Sequence, residues 1–261
     1  MADAKTKQKN SVLDAILNQY ESNKAKPKKV VDMTKYFSTY IGKAASGKKK
    51  FRILPAAPGE SPFVEAWFHN VQGTDGWSKN FCPEHNDGSP CPFCEIADEL
   101  RKSGSKEDKE LAKTYTAKKF YIVKGIERGK EEEGVKFWRF AHNYKGTGIF
   151  DKLIAVFSEK GDITDAKEGR DVIINVNKDD RGNSVVSSIL HDDKEPLHAD
   201  EKIANEWVND TMVWRDVYSI RDYKFLSALA KGENPYGNSE KTDLENKQVD
   251  DEDTIEEGKP F

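Results

Sequence analysis

Cysteine is scarce in this chain: three residues in 261, an odd number. No pairing scheme uses all three within one molecule, which argues against a disulfide-stapled exported domain. Long apolar runs are absent as well. No stretch approaches the ~20 residues of a membrane span. No N-terminal segment combines basic, apolar and cleavage regions, so no export signal and no membrane partner are expected, and the expected setting is cytoplasmic. Hydrophobic residues reach only 36% against 34% charged, so the core is smaller than the length suggests. Of the five histidines, His142, His191 and His198 are scattered and read as surface or loop residues. No repeat of 20–50 residues is evident. Gly47-Lys-Lys-Lys50 is not a phosphate-binding loop, because the preceding spacing is wrong and no Ser or Thr follows.

What is present begins with charge. The net charge is −4, which at first argues against nucleic acid, but residues 240–261 hold nine acids and three lysines. That tail carries −6, leaving +2 on the rest: an acidic tail masks a mildly basic body. Low in aromatics, the tail is expected to be disordered. At the other end Lys5, Lys7 and Lys9 form a basic arm. Ser11 and Asp14 then cap a run of Val12, Leu13, Ile16, Leu17 and Tyr20 at helical spacing. Two helical turns are marginal alone. The segment therefore docks either on its own core or on a neighbouring molecule. In the second case Lys5, Lys7, Lys9, Leu13 and Ile16 mediate self-association. The organisation expected is an arm and linker over 1–35, a body over 36–235 and the tail over 236–261.

All three cysteines fall in one stretch, His69 to Cys94. Cys91-Pro-Phe-Cys94 is a knuckle that lets two thiolates grip one ion, Cys82 adds a third sulfur, and His69 or His85 a fourth ligand. Four nitrogen and sulfur ligands suit one tetrahedral, structural Zn²⁺. Cys82-x2-His85 looks like a second knuckle, while His69 would reach in from the strand before it. Cys82-Pro-Glu84 and Pro90-Cys91-x-x-Cys94 also spell the letters of a zinc deaminase signature. Only five residues separate Glu84 from Pro90, too few to set a glutamate over an open zinc face, and a fourth protein ligand would close the metal to water. No enzyme is expected.

The body alternates short strands and helices. Strands are expected over 51–54, 63–69, 117–124, 135–141, 171–178 and 184–190. Helices are expected after Cys94, from Ser105 to Lys113, over 199–209 and over 219–231. Another starts at the N-cap Thr147, with Ile149, Phe150, Leu153, Ile154 and Phe157 as a buried stripe. Mixed β structure with inserted helices fits an OB-fold, a five-stranded Greek-key barrel; an α+β sandwich is the alternative. The strands 117–124 and 135–141 interleave cations with rings: Lys118, Lys119, Tyr121 and Lys124, then Lys136, Trp138 and Arg139, with Tyr115 before and Tyr144-Lys145 after. Rings that stack on bases, set among cations that follow phosphates, are what single-stranded nucleic acid requires. Strands favour aromatics for their own packing too. A zinc-stapled protein-interaction module that never touches DNA is the competing reading.

These motifs together resemble the single-stranded DNA-binding, helix-destabilising proteins of T-even-type phages. The resemblance rests on Phe51-Arg52-Ile53-Leu54-Pro55, on the spacing His69-x12-Cys82-x8-Cys91-x2-Cys94, on Lys136-Phe-Trp-Arg-Phe140 followed by a helix with Asp151-Lys152, and on the basic arm and acidic tail. It implies an OB-fold with an inserted zinc ribbon at about 65–105, with His69, Cys82, Cys91 and Cys94 as ligands. It implies cooperative coating of single strands during replication, recombination and repair, in an infected host cell if phage-encoded. It also implies a DNA cleft lined by Arg52, Lys113, Tyr115, Trp138 and Arg139. This chain departs from the family in having Ala117-Lys118 where the family has a tryptophan, and Asp-Asp-Arg-Gly-Asn183 where it has an aromatic hairpin tip. The terminal Pro260-Phe261 resembles the partner-docking end of bacterial single-strand-binding proteins, implying replication and recombination proteins as partners.

Overall fold

A computed structural model describes residues 33–73, 76–218 and 220–235. The arm residues Lys5, Lys7, Lys9, Leu13 and Ile16 and the tail residues Pro260 and Phe261 lie outside them. Seven strands make one sheet, paired antiparallel throughout: β1 (Ser46–Ile53), β2 (Phe63–Gly73), β3 (Gly76–Phe81), β4 (Lys118–Glu127), β5 (Val135–Ala141), β6 (Arg170–Lys178) and β7 (Ser184–Lys194). The central strand is β4. One edge pairs with β5 from Phe120↔Ala141 to Ile126↔Val135. The other pairs with β1 at Phe51↔Glu127 and with β2 from Phe63↔Val123 to Phe68↔Lys118. From β1 the sheet continues to β6 and β7. The close crossing of β1 and β4 demands Gly125, where a Cβ would strike the Arg52 carbonyl and the Phe51 ring.

Five helices sit where the sequence places them, and two others do not. α1 (Pro83–Asp87) and α2 (Pro92–Ser103) both begin on Pro at the first helical position, where its missing N–H costs nothing. Ser105 Oγ accepts from the Asp108 N–H at 3.0 Å and starts α3 (Lys106–Tyr115) as expected. α4 (Ile149–Lys160) starts one residue later than expected: Gly148 is the N-cap, and its N–H donates to Asp151 Oδ2 at 2.9 Å. Its buried stripe is Ile149, Leu153 and Val156, with Phe150 and Phe157 packed alongside. Ile154 is exposed instead. Five residues on from Ile149 it has turned about 140° round a helix with 3.6 residues per turn. α5 (Glu201–Val208) and α7 (Tyr223–Ala230) fall inside expected helices, while α1, α6 (Trp214–Val217) and strand β3 are not expected from the sequence.

The two faces of β4 are covered differently. Tyr121 and Val123 face a core built from Phe51, Ile53, Phe63, Trp138, Phe140 and the stripe of α4. Phe120 and Ile122 face the other way, onto Phe68, Phe81, Phe137 and Tyr218, with Tyr36, Trp214 and Val217 packed outside. Fully burying one such phenylalanine stabilises by about 1.5–3 kcal/mol. A third cluster gathers the cysteines with Phe93, Leu226 and Leu229, so α7 docks on the cysteine-bearing subdomain.

Candidate metal centre and nucleic-acid interface

Strand β2 delivers His69, and the first turns of α1 and α2 deliver the sulfurs. Cys82 is the N-cap of α1 and Cys91 that of α2, with Cys94 one turn on. Helix N-termini favour thiolates, because their free N–H groups and dipoles point at the negative charge. The four ligand atoms of His69, Cys82, Cys91 and Cys94 lie within 4.8 Å of one another, and all four residues are buried. Cys91 Sγ is 3.2 Å from His69 Nε2, and Cys82 Sγ is 3.6 Å from Cys94 Sγ. His69 Nδ1 lies 2.7 Å from the Tyr115 carbonyl oxygen. A carbonyl only accepts, so Nδ1 carries the proton and Nε2 turns its lone pair to the sulfurs, the usual support for a metal-binding histidine.

The protonation of the sulfurs fits a cation. Hydrogen bonding with Cys91 pushes the Cys82 thiol up to about 12. Hydrogen bonding with Cys82, then Cys91, pushes Cys94 up, while Cys91 is held far below the usual thiol range by Cys82 and Cys94. Three sulfurs this close cannot all ionise unaided; a bound dication lets them. The three cysteines and the histidine are thus compatible with a zinc site. His85 stands beside it, exposed, with Nδ1 3.3 Å from Cys82 Sγ and 3.6 Å from Cys94 Sγ.

Along β2 alternate residues share a face, so Trp67 lies on the face that His69 uses. Trp67 is directly opposite Lys119 of β4. Lys119 Nζ sits 5.7 Å from the Trp67 ring centre and 5.2 Å from that of Tyr121. The Tyr121 hydroxyl meets His142 Nδ1 at 3.2 Å, and the His142 ring packs edge-on against Tyr144, 4.3 Å between centres. Tyr144 is 84% exposed, and Lys145 beside it is exposed too. The subdomain of α1–α3 covers one end of this sheet face and α4 the other. Between them lies a track of Trp67, Lys119 and His142, half-buried, and Tyr144 and Lys145, exposed. Glu65 is the acid in it, 2.5 Å from Lys119 Nζ, and that contact holds the lysine above its ordinary range.

The predicted DNA contacts divide by burial. Lys119, Tyr144 and Lys145 lie on the track. Lys118 points to the opposite sheet face, half-buried. Lys113 is exposed on α3 and pairs with Glu110 at 2.8 Å. Tyr115 stacks on Phe93 at 6.3 Å and 24°, half-buried against the subdomain. Tyr121 is buried, its ring stacked on Phe150 at 3.9 Å and 8°, so only its hydroxyl end meets the track. Three of the expected contacts are buried. Trp138 is 2% exposed, with Phe37, Phe51 and Phe140 within 6 Å of its ring centre, so no face is open to a base. Arg52 is fully buried: Nη1 donates to Asp171 at 3.2 Å and Nη2 to the carbonyls of Asp165 and Glu195 at 3.2 and 2.6 Å. Asp171 also accepts from Arg128 Nε at 2.8 Å, so Arg52 is a strut between strands and not a free phosphate contact. Arg139 is buried between the rings of Phe68, Phe120 and Tyr218, 4.5–5.6 Å from their centres, and its Nε has no hydrogen-bond partner.

Trp67 escaped the sequence reading, which has His142 as a surface or loop residue and weighs His85 only as a metal ligand. The signal for Trp67 was its place two residues before a metal ligand, on the same strand face. The anchoring of the subdomain also escaped it. Asp87 at the end of α1 takes a two-pronged contact from Arg215, at 2.8 and 3.3 Å, across 128 positions of sequence. Among the described residues no helix is long and apolar enough to cross a membrane.

Residues 45–231 match the protein-family model described as gp32 DNA binding protein like. A search of curated proteins gave no match.

Proposed function

The chain belongs to the gp32-like DNA-binding protein family, a family of binding proteins and not of enzymes, and from that premise we propose that it coats single-stranded DNA during phage replication, recombination and repair. The observation that carries the reading is the open cation–aromatic track on β2 and β4. Lys119 and Lys145 would follow phosphates while Tyr144 stacks on bases, a combination that tolerates any sequence. The strand order supports an OB-fold. β1, β4, β5, β6 and β7 share four of the pairings of the five strands of that barrel, open between β5 and β7 among the described residues, with the β1–β4 connection enlarged into the metal subdomain and α4 between the third and fourth strands. In that fold the face of the second and third strands and the first loop bind oligonucleotides, and the track lies where β4 meets that enlarged loop.

His69, Cys82, Cys91 and Cys94 would hold one structural zinc. Four protein ligands leave no open position, so the metal supplies folding energy to the subdomain and no chemistry. The basic arm through Ile16 would join neighbouring molecules along the strand, and the acidic tail would compete with phosphates for the track and present Pro260-Phe261 to replication and recombination enzymes. Competition between labelled oligo(dT) and duplex DNA of equal length tests the function. Oligo(dT) should be held far more tightly, and equal affinity for both would overturn the reading. The arm is tested separately: removing residues 1–20 should flatten the binding curve on long poly(dT) and leave affinity for a short oligonucleotide unchanged.

A further inference from the structure

The metal centre and the DNA track meet at two rings. The planes of the Trp67 and His85 rings are 28° apart, with 6.3 Å between their centres. A closed stack in this protein is much tighter, as Tyr121 and Phe150 show at 3.9 Å and 8°. Bases stack about 3.4 Å apart along a nucleic-acid strand, so two rings holding a base between them stand about 6.8 Å apart. The Trp67–His85 centre-to-centre distance is of that order. Phe93 and Tyr115 have the same separation, but Phe93 is fully buried and nothing can enter there. At Trp67–His85 one ring is exposed and the other half-buried.

Both rings are held from behind. Asn86 of α1 binds the Trp67 backbone twice: Oδ1 accepts from its N–H at 3.0 Å, and Nδ2 donates to its carbonyl at 2.8 Å. His85, the residue before Asn86, sets Nδ1 against Cys82 and Cys94 of the metal centre. With Lys119 Nζ 5.7 Å from the Trp67 ring, a phosphate on the same nucleotide has a cation within reach.

Resting on the single-strand-binding reading above, we propose that Trp67 and His85 form a clamp that takes one unpaired base between them, with the outer jaw fixed by the sulfurs of the metal centre. His85 is then a base-contacting residue and not a fourth ligand. The subdomain contributes directly to DNA binding, beyond bracing the fold. A duplex is excluded, because its bases have no free faces to offer.

The test is the affinity of a short fluorescein-labelled oligo(dT), measured by anisotropy at several salt concentrations, with zinc content determined on the same preparations. The variants are Trp67→Leu, Trp67→Phe, His85→Ala, His85→Phe and the double variant Trp67→Leu/His85→Ala, with Lys119→Ala as reference. Leucine keeps bulk at the half-buried site without an aromatic face. Trp67→Leu should weaken binding about 5- to 150-fold, as loss of one stacked base does. His85→Ala should weaken it comparably while keeping its zinc. The double variant should be little weaker than Trp67→Leu, since one jaw alone holds nothing. Both phenylalanine variants should recover most of the affinity. None should change the salt slope, because no phosphate contact is lost. Loss of zinc from His85→Ala would make His85 a ligand and overturn the clamp. So would full affinity in Trp67→Leu and His85→Ala, or losses that multiply in the double variant. If Lys119→Ala still reduces the salt slope in those cases, single-strand binding stands and only the clamp falls. If the unaltered protein does not bind oligo(dT), both fall.

Discussion

Arg139 and Lys119 are two cations set among aromatic rings on adjacent, paired strands, and they have opposite surroundings. Arg139 lies under Tyr218 and between Phe68 and Phe120, 4% exposed. Lys119 lies over Trp67 and Tyr121 with its side chain 20% exposed and a carboxylate beside it. The composition is the same; the covering differs. Segment 212–218 closes the Arg139 face, while the Lys119 side chain stays partly exposed. Basic–aromatic interleaving therefore identifies a sheet that can bind nucleic acid without saying which of its faces does. A cation among rings in the interior stabilises packing through the quadrupole of the rings. The same pair at a rim can exchange its partner for a phosphate and a base.

The sharpest way to break this contrast is to remove the parts that create it. Cys91→Ser should lose bound zinc and open α1 and α2 to hydrogen exchange, since metal-binding energy is folding energy there; retained zinc with unchanged exchange would show the sulfurs do not act together. On the closed side, Trp138→Ala should destabilise by about 3–5 kcal/mol in urea unfolding, as truncation of a buried ring does. The folded fraction should bind oligo(dT) normally. A stable variant with weakened binding would return Trp138 to the DNA site. On the open side, Tyr144→Ala should cost about 1–3 kcal/mol of oligo(dT) affinity with little change in unfolding midpoint, because an 84% exposed ring makes few contacts to lose. The smallest effect is expected at Glu65. Glu65→Gln frees Lys119 for phosphate and should strengthen binding a few-fold, more at low salt than at high because screening weakens the competition. Weaker binding in Glu65→Gln would mean that the carboxylate positions the lysine.

Much of this arrangement is legible in the sequence. The knuckle at Cys91–Cys94 and the clustering of all three cysteines pointed to a metal, and local chemistry such as the Ser105 cap set helix starts. The strands β4 and β5 are plain from their aromatic and β-branched residues. What was hidden depended on contacts distant in sequence. Trp138 and Arg52 read as available side chains, because nothing near them reveals that Phe37 and Asp171 will cover or pair them. Strand β3 was obscured by its glycine and polar content; its partner β2 makes it a strand. The destination of α7 was equally invisible, since the Leu226 and Leu229 stripe says only that some apolar surface awaits it. Trp67 was passed over because its value comes from Lys119 across the sheet, fifty-two positions later.

The measurement that bears most directly on the open face as the DNA site is the salt dependence of oligo(dT) affinity for the unaltered protein and Lys119→Ala. Each phosphate neutralised on a single strand contributes about 0.7 to the slope of log K against log salt. Lys119→Ala should therefore reduce the slope by about 0.7 and shift the unfolding midpoint only modestly, a partly exposed ion pair being worth about 1 kcal/mol. An identical slope in the two proteins would mean that no phosphate meets Lys119, and that the strand runs elsewhere on the molecule.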